Sequence, residues 1–184
     1  MDNPKLRKLL ILLHLYGAAF MAPAFLLLAT SGGLYLMGKK GAVETTEITL
    51  PANASLDFKS PTLEADVRNF LSSAGIDYKF EYVKNRGNVI HLRPTSRTYI
   101  EMKQTSEGLT ASFKNPNLTA AVMEIHKGHG PSLIKTYHKI VALLLFGVVI
   151  GGIFVGVLAK AYRRKTLVTM IVGTLIYVLI AVFA

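Results

Sequence analysis

Five histidines carry most of the chemistry open to this chain: His14, His91, His126, His129 and His138. A neutral imidazole is a good ligand for iron and other transition metals and titrates near neutral pH. His14 interrupts an uncharged apolar run. An ionisable residue there is costly, and it marks either a functional site such as an axial haem ligand or a hydrogen bond across a helix interface. His126, His129 and His138 fall within 13 residues, and His126-Lys127-Gly128-His129 sets two imidazoles in a glycine-containing turn. Such a cluster could bind haem or an ion such as zinc or copper, or form a polar interfacial loop. Its spacing fits no strong zinc motif, and no acidic residue within the apolar runs completes a site. His91, with charged neighbours and no nearby histidine, reads as an ordinary surface or edge residue.

Other chemistry is excluded by what the sequence lacks. It contains no cysteine, so disulfides, thiolate zinc sites, iron–sulfur clusters and c-type haem attachment are ruled out. Neither a glycine-rich nucleotide loop nor a hydrolase or zinc-protease pattern is present, so no soluble nucleotide or hydrolase site is supported.

The elements that must position these histidines are dominated by apolar helices. The 184 residues are 51% hydrophobic and 17% charged, against about a quarter charged in average soluble domains. Three segments, 9–37, 140–159 and 167–184, are each free of formal charge and long enough to cross a hydrocarbon core of roughly 30 Å. The first has a basic start like a signal peptide, but its apolar stretch is about twice a typical h-region. It reads as a retained helix, bent near Pro23. The net charge of +10 is not a nucleic-acid footprint, because residues 41–137 hold eleven Lys/Arg against ten Asp/Glu. The surplus flanks the apolar segments. Lys5, Arg7 and Lys8 at the N-terminus and four basic residues in 160–166 outnumber Lys39, Lys40 and Lys139. That asymmetry predicts a cytoplasmic N-terminus, a cytoplasmic 160–166 turn, an extracytoplasmic 41–138 region and Ala184 at the outer face.

The expected architecture is therefore a membrane protein of three transmembrane α-helices with an inserted extracytoplasmic α+β domain. Its parts are an N-terminal helix over 1–40, the domain over 41–127 and a helical hairpin over 128–184. Within the domain, the spacing predicts a helix over 61–75, strands over 77–83, 89–93, 97–103 and 109–114, and a second helix over 118–127. In the second apolar segment, Gly147-x-x-x-Gly151 and Gly152-x-x-x-Gly156 form adjacent small faces. They suit close helix packing, either within a protomer or along a homodimer seam.

The whole pattern resembles the PepSY-associated transmembrane family. Leu13-His14-Leu15-Tyr16-Gly17 is similar to that family's opening of the first helix. The run from Ala29 to Leu36 is similar to its small-residue exit, and Ile125-His126-Lys127-Gly128 to its Leu-His-x-Gly motif. The resemblance implies a PepSY-like extracytoplasmic domain and b-type haem. His14 and His126 would be ligands, with His138 a weaker match and His129 weaker still. It also implies a multi-pass protein of the bacterial inner membrane. Electrons from a cytoplasmic or quinol donor would reduce extracytoplasmic ferric iron or a ferric siderophore, in support of iron uptake. Two features depart from the family. Leu15 stands where the family has Arg, and there are three membrane helices where many relatives have at least four.

A helix of 29 residues is roughly 43 Å long, so His14 near one end cannot share an iron with His138 near the other face. The inner level has one histidine per chain, and its simplest completion is His14 of a second copy in a homodimer. The competing expectations are a non-redox membrane-anchored PepSY module that modulates a partner protein, and a haem or metal delivery accessory.

Overall fold

The computed structural model describes residues 4–51 and 53–183; Ala184, expected at the outer face, lies outside them. The elements in chain order are α1 (Pro4–Leu36), β1 (Val43–Ile48), α2 (Leu63–Ser73), β2 (Tyr82–Asn85), β3 (Val89–Arg93), β4 (Tyr99–Thr105), β5 (Gly108–Pro116), α3 (Leu118–His126), α4 (Ser132–Leu158) and α5 (Arg163–Phe183). Stretches Lys8–Leu36, Ser132–Leu158 and Arg163–Phe183 have mean hydropathies of 2.0, 2.9 and 2.5, long and apolar enough to cross a membrane. Their large apolar side chains are mostly exposed, as suits helices whose solvent is hydrocarbon. The chain is thus compatible with a multi-pass membrane protein that carries a small α+β domain. α1 runs through Pro23 as one helix.

The chain divides into two compact units: one formed by the chain up to Ala24 with the chain from Lys139 onward, the other by Phe25–His138. In the first, α1 and α4 approach closely because glycine leaves room. A Cβ on Gly17 would lie 3.2 Å from Val148 Cγ2. Among the described residues, Met21, Ala24 and Val141 are its buried ones. At the hairpin, a Cβ on Gly156 would meet Thr166 Oγ1 at 2.5 Å.

In the second unit, five antiparallel strands form a sheet in the order β1-β5-β4-β3-β2. Alternation puts Ile90, Leu92, Ile100, Met102, Leu109 and Ala111 on one face, and all are buried with Val67 and Leu71 of α2. The opposite face is polar, with the row Lys84, His91, Glu101, Ser112 and Glu47 in register across all five strands. This is the inside–outside division expected of an antiparallel sheet.

Two expectations change. The strand expected over 77–83 lies at Tyr82–Asn85 instead. Phe80 is drawn into the core, with the Arg68 guanidinium 4.0 Å over its ring, so only the end of that alternating run reaches β3. Strand β1 was not expected. Its sequence VETTEI is almost wholly exposed, so it has no apolar alternation to read, and it is held by pairing with β5.

The first turn of α4 is fastened to the domain. Glu81 Oε2 accepts from the Ser132 amide at 2.9 Å and the Ser132 hydroxyl at 2.5 Å, and Lys135 donates to the Tyr82 hydroxyl. This supplies an acceptor for an otherwise unpaired helix-start N–H.

Candidate functional site

Helix α3 is fixed at both ends, and its C-terminal end carries two of the predicted ligands. At its start, Asn117 Oδ1 accepts from the Ala120 amide at 3.0 Å, a standard N-cap. Gly41 presses on the same turn with φ +80°, and a Cβ there would sit 2.3 Å from the Ala120 nitrogen. At its end, the Gly128 amide donates to the Ile125 carbonyl at 3.0 Å and the His129 amide to the Glu124 carbonyl at 2.8 Å. With Gly128 at φ +74°, this is a Schellman cap. It places His126 on the last helical residue and His129 just after the reversal.

Both imidazoles are anchored through Nδ1. His126 Nδ1 lies 2.6 Å from Ser31 Oγ, and Ser31 is fully buried. That hydroxyl has one proton. The carbonyls of Leu27 at 2.7 Å and Leu28 at 3.1 Å are within reach to accept it. With that proton donated to a carbonyl, His126 donates from Nδ1 and keeps a lone pair on Nε2. The ring rests beside Gly32, where a Cβ would lie 3.7 Å from Cε1. His129 Nδ1 donates to Glu124 Oε2 at 2.8 Å, again leaving Nε2 with its lone pair. A hydrogen bond on one ring nitrogen is what orients a ligating histidine and raises its basicity.

Glu124 gathers more partners. Thr95 donates to it at 2.6 Å, Lys127 at 3.0 Å, and the buried Arg93 guanidinium stands 3.5 Å away. Burial by itself would raise this carboxyl. Hydrogen bonds from Thr95, His129 and Lys127 outweigh it and hold the group at about 2. Burial also pulls the His129 ring below the usual imidazole value, against the opposing pull of Glu124. Arg93 Nη1 donates to Thr95 Oγ1 at 2.6 Å, while its buried Nε has no partner among the described residues.

The remaining histidines are separate. His138 is half-buried on α4, its ring 6.1 Å from that of Tyr137. His91 is not an edge residue. It sits on the interior strand β3, with Nε2 2.9 Å from Glu101 Oε2 of the paired residue on β4. His14 belongs to the other unit and faces an apolar cleft of about 600 Å³ between α1 and α4. A Cβ on Gly152 would lie 3.6 Å from its Cε1. His14 is the one polar side chain in that lining.

These donor sets differ in what they can hold. Among the described residues, no group of three or more His, Asp or Glu side chains is placed to hold a metal ion. A haem iron asks for fewer protein ligands, and the Nε2 of His126, backed by Ser31, fits that role, with His129 similarly backed on the same turn. Among its described lining residues the His14 cleft offers one imidazole for a haem iron and no cationic partner for the two propionates. Ser31, Thr95, Arg93 and Glu124 were not singled out in the sequence. The available signals were a lone serine late in an apolar helix and a lone acid within α3, five residues before His129. No family model, no curated protein and no solved structure matches the chain.

Proposed function

We propose that this chain is a b-type-haem membrane protein of the PepSY-associated transmembrane kind, reducing ferric iron or a ferric siderophore on the extracytoplasmic side of a bacterial inner membrane. The observation that carries this reading is the Ser31–His126 pair, which commits Nδ1 and leaves Nε2 as a donor. In this reading His126 would hold the haem iron, and His129 or His138 would supply a second imidazole. Haem, when bound, supplies a one-electron couple matched to the ferric/ferrous step. Ser31 holds the His126 ring in one tautomer and one orientation, and Glu124 does the same for His129. Lys127 balances the charge of Glu124 on the same turn.

The test is spectroscopic. The full-length protein purified from haem-supplied cells should show a Soret band that shifts on dithionite. His126→Ala should remove it, and Ser31→Ala should weaken haem retention about 10- to 100-fold, the usual effect of losing a partner behind a ligand. A colourless wild-type protein would end this reading in favour of a non-redox module.

A further inference from the structure

The cleft at His14 calls for a different occupant. Its lining is apolar, with Leu13, Leu144 and Val148 among its walls and Gly147 and Gly151 at its open floor. The volume of about 600 Å³ lies within the range of small-molecule sites. One imidazole faces it, and among the described residues that imidazole has no hydrogen-bond partner. The cleft lies between two helices long and apolar enough to span a membrane. An unpaired imidazole in hydrocarbon is costly, so the natural occupant brings it a hydrogen bond. It must also be neutral, because no charged side chain among the described residues lines the cleft. An apolar body suits the rest of the lining. A phospholipid chain meets the last two demands and not the first. Helix α4 of a second copy, apolar over 140–158, would cover the imidazole without bonding it.

We infer that the α1–α4 cleft is a binding site for a membrane quinone, with His14 hydrogen-bonded to an oxygen of the ring and the isoprenoid tail along the glycine floor. A quinone carries an oxygen on a flat neutral ring and an apolar tail, and it resides in the bilayer. His14 donates to the oxidised carbonyl or accepts from the reduced hydroxyl, since a neutral imidazole has one nitrogen of each kind. The assignment gives the proposed haem protein a place for a lipid-phase redox partner and rests on that reading for its role. Binding itself is independent of haem.

Gly147 and Gly151 provide the means to test this, because a Cβ on either meets nothing within 4 Å. Larger side chains there start from a Cβ with open space around it and extend into the cleft. The full-length protein in nanodiscs is photolabelled with an azidoquinone, with decylubiquinone as competitor, and the labelled peptides are mapped by mass spectrometry. Label is expected on residues 10–17 and 143–155 and should fall at least tenfold with competitor. Gly151→Leu and Gly147→Val should abolish it, and His14→Leu should reduce it about tenfold or more. His126→Ala, which removes the proposed haem ligand, should leave the labelling intact. Uncompeted label spread along α1, α4 and α5 would show a groove filled by ordinary lipid and overturn the assignment. So would a His14→Leu protein that loses its Soret band, since His14 would then be a haem ligand. A cross-linked second copy covering residues 10–17 would overturn it equally.

Discussion

At the scale of single residues, the site at the end of α3 depends on which nitrogen of each histidine is free. Ser31 orients His126 and Glu124 orients His129, and Glu124 also sets how the domain responds to acid. The Glu124 carboxyl sits at about 2 in the folded chain, against an ordinary 4.5. A depressed carboxyl contributes stability above its unfolded value and loses it as pH falls from about 4.5 to about 2; the upper bound is about 3 kcal/mol. His129 and His91 are pulled below 6.5 by burial, so the unfolded chain takes up their protons first. Stability therefore starts to fall below about pH 6.5 and falls further below 4.5. Glu124→Gln should be less stable at pH 7 and show a flatter profile between pH 4.5 and 2 in denaturant titrations. A variant with the same acid profile as the parent would contradict the role given to Glu124. His91→Ala, by contrast, should leave haem content unchanged, since its imidazole is bound to Glu101 on a separate part of the sheet.

At the scale of elements, the order of legibility follows burial. Helices α1, α4 and α5 could be read directly, because a run of apolar residues is itself the signal for a membrane span. Strands β3 and β4 could be read because Ile90, Leu92, Ile100 and Met102 alternate with polar residues. Strand β1 could not, since its stability comes from β5 and not from its own side chains. The histidines could be named from the sequence. Their partners could not, because Ser31 and His126 are 95 residues apart and no spacing rule joins them. The contact between Gly41 and α3 is of the same long-range kind. Gly41→Ala adds a Cβ 2.3 Å from the Ala120 nitrogen at a positive φ, and neither backbone can yield cheaply. The expected cost is about 2 kcal/mol or more. It should appear as a lowered thermal midpoint and, because α3 carries His126, as reduced haem retention at equal protein. Gly33→Ala, where a Cβ meets nothing within 4 Å, is the matched control.

For the whole molecule, the chain offers an unusually clean topology experiment because it contains no cysteine. The charge asymmetry predicts that the basic residues of 160–166 lie on the cytoplasmic side and the 41–138 region on the other. Glu107→Cys, in the exposed turn between β4 and β5, should react with a membrane-impermeant maleimide in intact spheroplasts. Arg164→Cys should react only after the membrane is permeabilised. The reverse pattern would invert the protein and put the Ser31–His126 site on the cytoplasmic side.

The neighbour relation between β1 and β5 has a consequence for how the chain is made. Ile48 pairs with Ala111 and Val43 with Pro116, so each residue of β1 meets its partner only when a segment 63 to 73 residues later has been synthesised. The hairpins from β2 to β5 close locally and quickly, while the β1–β5 ladder bears the loop-closure entropy of the domain. Until then β1 is an unpaired strand tethered to the end of α1. Its six residues include Glu44 and Glu47, whose charge opposes pairing with another nascent copy. Antiparallel self-pairing would set Glu44 against Glu47 and repel. The exposed, acidic character that hid β1 from the sequence pattern thus protects the chain during biosynthesis, when its edge is open longest.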